Sequence, residues 1–78
     1  MMVVINGRKR YFYSLENIKK LRRGHWTVRH RGTGETYTIE GGKSAGGTRR
    51  EWFVSHPQWR KPISATSLVD ALNILEGM

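Results

Sequence analysis

The side chains that most often perform chemistry are scattered along this 78-residue chain. The three histidines, His25, His30 and His56, are not spaced like metal ligands, and no cysteine joins them. The serines lie in none of the contexts that mark a nucleophile, and the six acidic residues form no spaced carboxylate motif. These patterns predict no catalytic residue, metal or cofactor, so we expect a protein that is not an enzyme.

The glycine-rich segment 41–50, GGKSAGGTRR, contains a Gly-Lys-Ser tripeptide like that of nucleotide-binding P-loops. That motif needs another glycine five residues before Gly42, where Tyr37 stands, and a long helix afterwards. The segment is therefore not predicted to be a P-loop. It could clamp a nucleic-acid backbone through Lys43, Arg49 and Arg50, or it could be a plain connection.

Positive charge is unevenly distributed along the chain. Fourteen Lys and Arg against six Asp and Glu give a net charge of +8 at pH 7. From Ser64 onward there are only Asp70 and Glu76 and no base, so the preceding residues carry +10, fourteen bases minus four acids. This imbalance favours a polyanionic partner. The alternative is a surface whose charge only aids solubility.

The length predicts a single domain, residues 1–78, too small for a deep ligand pocket beside its core. We therefore expect it to act through its surface. The absence of cysteine fits a reducing compartment, and no apolar run is long enough for a signal peptide or a membrane span. These features predict a cytoplasmic protein that does not bind membranes.

Two elements are predicted before residue 25. Asn6-Gly7, between Val3-Val4-Ile5 and residues 8–13, is typical of a type I′ β-hairpin. Ser14 can then cap a short helix through residue 20 or slightly beyond, with apolar residues at 15, 18 and 21 inside and Gly24 as its end. Its outer face would carry four bases that could complement the helix dipole or bind phosphate: Lys19, Lys20, Arg22 and Arg23.

Three strands and a second helix are predicted to follow. Residues 25–31 and 36–40 alternate around a Gly32-Thr33-Gly34 turn, and 51–55 forms a third strand of uncertain register. Proline-flanked residues 56–62 are expected to be a loop. An apolar helix over residues 66–75, capped by Thr66 or Ser67, would cover one face of the sheet. The predicted fold class is α+β: an antiparallel three-stranded sheet, which the hairpin could extend, with a short helix before it and a C-terminal helix packed on one face.

The uncovered sheet face is predicted to bind nucleic acid. It would display basic and hydroxyl side chains with one aromatic, either Phe53 or Trp52: His25, Thr27, Arg29, Arg31, Thr36 and Thr38. Arginine can contact phosphate or guanine, and an aromatic ring can stack on an unpaired base. An ordinary solvated sheet face is the alternative.

Two families share parts of this pattern. The order helix, three strands, helix over residues 15–75 resembles double-stranded-RNA-binding domains. Residues 64–68 lack the lysine cluster that begins the second helix of that family, so its RNA contacts are not expected. Trp26, Val28 and Arg29 before Thr33-Gly34-Glu35, then Tyr37, Ile39 and the last helix, are similar to the small DNA-binding domains of phage integrases. That resemblance implies a three-stranded sheet inserted into the major groove.

The leading hypothesis is a non-enzymatic nucleic-acid-binding domain, with DNA favoured over RNA, such as a phage or mobile-element accessory protein. The residues expected to bind are Arg8, Lys9, Arg10, Lys19, Lys20, Arg22, Arg23, Arg29, Arg31, Lys43, Arg49 and Arg50. The alternative is a protein-binding inhibitor or adaptor acting on an acidic protein or a nucleic-acid-handling complex, with Trp52, Phe53 and Trp59 at the contact. Either could be a monomer or a homodimer joined at the hairpin edge.

Overall fold

The computed structural model describes residues 1–42 and 51–78. Over these ranges the strands are β1 (Met2–Ile5), β2 (Arg8–Tyr11), β3 (Leu15–Arg22), β4 (His25–His30), β5 (Thr36–Gly41), β6 (Trp52–Ser55) and β7 (Ile63–Ala65), and the helix is α1 (Leu68–Glu76). They form two antiparallel sheets, a β1–β2 hairpin and a five-stranded meander in the order β3-β4-β5-β6-β7. The predicted three-stranded sheet preceded by a helix is therefore wrong.

The predicted first helix is strand β3, and two β-bulges explain the error. Glu16 pairs with Arg29 and Lys19 with Thr27, so β3 has one more residue than β4 between these two pairs. Asn17, within this bulge, adopts a left-handed φ of 51°. The extra residue shifts the alternation of side chains, so Leu15 and Ile18 are both buried although they are three residues apart. A spacing of three is also typical of an amphipathic helix. Leu21, at the second shift, is 59 % exposed instead of buried.

The hairpin forms a separate sheet and does not extend the larger one. Asn6 and Gly7 have φ values of 52° and 78°, the positive values that a type I′ turn requires. Ile5 pairs with Arg8, and Met2 pairs with Tyr11. Beyond the ladder, the Met1 amino group donates a hydrogen bond to the Phe12 carbonyl oxygen. Ile5 and Phe12 belong to the core, so the hairpin packs against the rest of the domain.

The meander has an inner face that lines the core and an outer face opposite. Ile39 of β5 pairs with Val54 of β6, and both are fully buried, which fixes the register of β6. Phe53 pairs with Glu40 on the outer face, whereas Trp52 pairs with Gly41 on the inner side. Strand β7 was not predicted, because three residues after a proline are too few to reveal an alternating pattern.

Helix α1 covers the inner face, as predicted for the C-terminal helix. The hydroxyl of its N-cap residue Ser67 accepts a hydrogen bond from the Asp70 N–H at 3.0 Å. Its buried face consists of Leu68, Ala71, Leu72 and Leu75. At its other end, Glu76 Oε1 accepts hydrogen bonds from the N–H groups of Tyr13 and Ser14 at 2.9 and 2.8 Å. The helix is thereby joined to the chain between β2 and β3, where the hairpin meets the meander.

Candidate nucleic-acid interface

Seven exposed bases lie on β2, β3 and the turn after β3. We call this set the basic edge: Arg8, Lys9, Arg10, Lys19, Lys20, Arg22 and Arg23. The ion pairs within residues 1–42 and 51–78 are His25–Glu40, Arg29–Glu16 and His56–Glu35, so none involves the basic edge. These seven charges are therefore available to an external partner.

The second bulge of β3 determines which of its bases share a face of the sheet. Lys19 pairs with Thr27 on the outer face, whereas Lys20 pairs with Trp26 on the inner side. After the second shift, Arg22 pairs with His25, again on the outer face, and Arg23 lines a groove on the inner side. Because β3 is the first strand of the meander, no strand within residues 1–42 and 51–78 pairs with its free side. Regular alternation would instead put Lys20 and Arg22 on the same face.

A groove opens at the end of the meander where β3 and β5 finish and β4 and β6 begin. Its volume is about 790 Å³. The hairpin turn, the end of β3 and the amino end of α1 surround it, and its lining is Val4, Ile5, Asn6, Lys20, Arg23, Gly24, Trp26, Gly41, Gly42, Trp52, Ser67 and Leu68. Among the described residues, this lining combines two tryptophans with two bases and includes no carboxylate.

Gly41 determines how Trp52 lies in this groove. A Cβ atom added at position 41 would overlap the indole ring of Trp52, so the ring lies directly against the glycine. The two residues are partners on β5 and β6, and Trp52 is only half-buried. The indole is thus supported on one side by backbone and remains partly accessible from the groove.

The outer sheet face is less basic than the sequence suggests. Arg29 lies 3.5 Å from a Glu16 carboxylate oxygen, and His25 lies 3.9 Å from one of Glu40. Glu16 and Glu40 pair in register with Arg29 and His25, so acids and bases share this face. Arg31 follows β4 at the opposite end from the groove. Arg29 shares the outer face with Lys19 and Arg22 of the basic edge but is paired with Glu16, and Arg31 lies away from that edge.

The aromatic residues expected at a protein contact are also separated. Trp52 lines the groove and Phe53 is on the outer face. Trp59 packs against the buried Tyr37, with ring centroids 5.4 Å apart, and near His56 at the far end of the meander. Lys43, Arg49 and Arg50 lie outside the described residues.

The groove was not predicted from the sequence. The face of Trp52 was left open there, and both Trp52 and Trp26 line the groove. The available signal was Gly41, a residue without a side chain at the end of an otherwise bulky strand. Such a glycine can mark the close approach of another group.

In the described part of the chain, no helix is long and apolar enough to cross a membrane. Residues 1–42 and 51–78 also contain no cluster of three His, Asp or Glu side chains that could hold a metal ion. Comparison of the chain with protein-family models, with curated proteins and with solved structures found no match.

Proposed function

We propose that the protein is a non-enzymatic module that binds nucleic acid through the basic edge. The observation that carries this proposal is the collection of seven exposed bases on β2, β3 and the following turn, without an ion-pair partner among the described residues. Of the described bases outside the basic edge, Arg29 is paired with Glu16, whereas Arg31, Arg60 and Lys61 are unpaired but do not lie on β2 or β3. Arg8, Lys9 and Arg10 are consecutive on β2, and the other four bases fall within residues 19–23. Unpaired cations close to one another attract a polyanion more strongly than the same charges dispersed over a surface.

The dimensions of this edge suit a phosphate backbone. Strand β3 has eight residues and is therefore roughly 26 Å long. Duplex DNA carries about 15 phosphate charges over that length of its axis. Phosphates are therefore dense enough for each base of β3 to find one. DNA is the first ligand to test, with RNA of the same sequence beside it. A cytoplasmic location accords with this function and is supported by the absence of cysteine.

The test is the binding of fluorescently labelled nucleic acid at several salt concentrations, measured by anisotropy. Single-stranded DNA, the matching duplex and single-stranded RNA are titrated separately. We expect binding at low salt that weakens steeply as salt rises, because each phosphate contact releases condensed counterions. Absence of binding at low salt, or an affinity indifferent to salt, would refute the proposal.

A second candidate function, binding of another protein, is favoured by the outer side of the hairpin. Met2, Val4, Tyr11 and Tyr13 are 56, 58, 55 and 75 % exposed. The two tyrosine rings contact each other edge to face, with centroids 4.8 Å apart. Exposed apolar and tyrosine side chains collected on one surface are typical of protein contacts.

This second function is tested with the double variant Met2→Ser/Tyr11→Ser, which leaves the groove lining unchanged. A nuclease-treated pull-down should retain a stoichiometric protein with the wild-type chain and lose it with the variant. Light scattering on the same two proteins shows whether the retained partner is a second copy of the chain. Equal retention by both proteins, or retention by neither, would contradict the candidate.

A further inference from the structure

We propose that the groove binds an unpaired base of a single-stranded nucleic acid, stacked on Trp52, with the adjoining phosphates on Lys20 and Arg23. This inference rests on the proposed function and names its ligand class. It depends on three properties of the groove: a supported aromatic ring, two unpaired cations and a volume large enough to admit a nucleotide.

The supported ring is Trp52. Gly41 lies against one side of its indole, where any larger residue would overlap the ring. The ring is half-buried and also lines the groove, so part of its surface is free to contact a ligand. A ring already fixed by its neighbours loses little side-chain freedom on binding. Trp26, a second half-buried indole in the lining, adds further aromatic surface.

The cations are Lys20 and Arg23, both exposed and both in the lining. The nearest acid on α1 is Asp70, in its first turn. Its carboxylate accepts a hydrogen bond from the Thr66 N–H at 2.9 Å and belongs to the helix cap, outside the lining. Glu40 is on the outer face, beside His25. The groove therefore combines positive charge with aromatic surface, which matches a nucleotide and not an acidic peptide, because stacking needs a flat partner.

Stacking on Trp52 requires an unpaired base. Its volume of about 790 Å³ falls within the range of small-molecule sites. A base inside a duplex is stacked above and below and hydrogen-bonded to its partner, so it reaches such a groove only after leaving the stack, which costs a few kcal/mol. A single strand does not bear that cost. We therefore expect a single strand to bind more tightly than the duplex of the same sequence.

The three tryptophans allow a test on the unmodified chain. Trp26 and Trp52 line the groove, whereas Trp59 packs on Tyr37 at the far end and serves as an internal control. The indole N–H signals are followed by NMR while a single-stranded thymidine oligonucleotide is added. We expect the signals of Trp26 and Trp52 to shift and that of Trp59 to stay in place. Equal shifts of all three, or a shift of Trp59 alone, would overturn the proposal.

Variants separate stacking from charge. Replacing Trp52 by Leu should weaken single-strand binding about tenfold or more, while Trp52→Phe, which keeps a flat ring, should restore most of it. Circular dichroism and thermal melting check that each variant folds. Lys20→Ala/Arg23→Ala should weaken binding more than Arg60→Ala/Lys61→Ala, an equal loss of charge on exposed residues outside the groove lining. Equal effects of the two double variants would contradict the phosphate contacts.

The outcomes distinguish this inference from the proposed function. If the folded Trp52→Leu variant binds the single strand as tightly as wild type, the stacking site is refuted while nucleic-acid binding stands. Equal affinity for a mononucleotide and for the oligonucleotide would also overturn it, because the strand should add phosphate contacts along the basic edge. If wild type binds no nucleic acid at low salt, the proposed function itself fails, and this inference fails with it.

Discussion

Removing three bases at the groove end of the basic edge should change how binding responds to salt. The variant is Lys20→Ala/Arg22→Ala/Arg23→Ala, three exposed residues outside every ion pair within residues 1–42 and 51–78. Their truncation should disturb folding little, since exposed substitutions usually change stability by at most about 0.5 kcal/mol. Any loss of binding then reports lost contacts and not a lost fold.

The expected magnitude follows from counting contacts. If each of the three bases neutralises one phosphate, the slope of log affinity against log salt should become shallower by about 2.7 on a duplex and about 2.1 on a single strand. A fourfold rise in salt should therefore weaken wild-type binding to a duplex about 40 times more than it weakens binding by the variant. The assay is an anisotropy titration of both proteins at several salt concentrations.

The matched control removes the same charge elsewhere. Arg31→Ala/Arg60→Ala/Lys61→Ala also deletes three exposed bases, at the other end of the meander or in the loop before β7. It should keep most of the wild-type slope, because long-range attraction depends on net charge, whereas counterion release depends on contacts. If both triple variants lose the same slope, charge acts diffusely and the basic edge is not the binding surface.

Three further predictions concern the elements that position this surface, each measured by urea denaturation. Gly41→Ala should lower the free energy of unfolding by about 1–3 kcal/mol, because a Cβ there overlaps Trp52; an unchanged value would contradict the close packing of the ring. Asn17 has a positive φ, which glycine adopts readily and alanine does not. Asn17→Gly should therefore leave the free energy of unfolding unchanged, and Asn17→Ala should lower it by about 1 kcal/mol. If glycine lowered it more than alanine, residue 17 would lie in a helix and not at a bulge. Glu76→Ala should cost ~2 kcal/mol and Glu76→Gln clearly less, because glutamine keeps an oxygen that can accept the two backbone hydrogen bonds; equal losses would show that these bonds contribute little.

Parts of the fold follow from local sequence rules. Asn6-Gly7 specifies a hairpin because few other residue pairs tolerate two positive φ values, and both residues have them. The amphipathic pattern of the last helix is also enough to predict that helix, because its capping residue and its apolar face lie within ten consecutive residues. In these elements the local preference and the tertiary environment agree.

The remainder depended on contacts between distant residues. Leu15 and Ile18 show a helical spacing, and only pairing with β4 reveals that a bulge at Asn17 places both in the core. The register of β6 was open because Phe53 and Trp52 could each face the core until pairing with β5 decided it. A three-residue strand such as β7 carries no periodicity of its own.

Only part of the candidate site could be predicted, because pairing between distant residues also decides which charges are balanced. The basic character of residues 8–23 is a property of composition and is evident from the sequence. The sequence assigned positive charge to the outer sheet face as well, but Glu16 lies opposite Arg29 there and balances it. A base remains unpaired only when no acid lies opposite it on the neighbouring strand. Which residues lie opposite one another depends on the register of the strands, which composition does not reveal.

The most direct test of nucleic-acid binding at the basic edge and groove is amide chemical-shift mapping of the wild-type chain during titration with a single-stranded oligonucleotide. We predict that the largest shifts fall on β2, on β3 from Lys19 to Arg23 and on the groove lining around Gly41 and Trp52. The residues around Arg31 and Trp59 should change little. Shifts centred on that far end of the meander, or no shifts at low salt, would contradict the account.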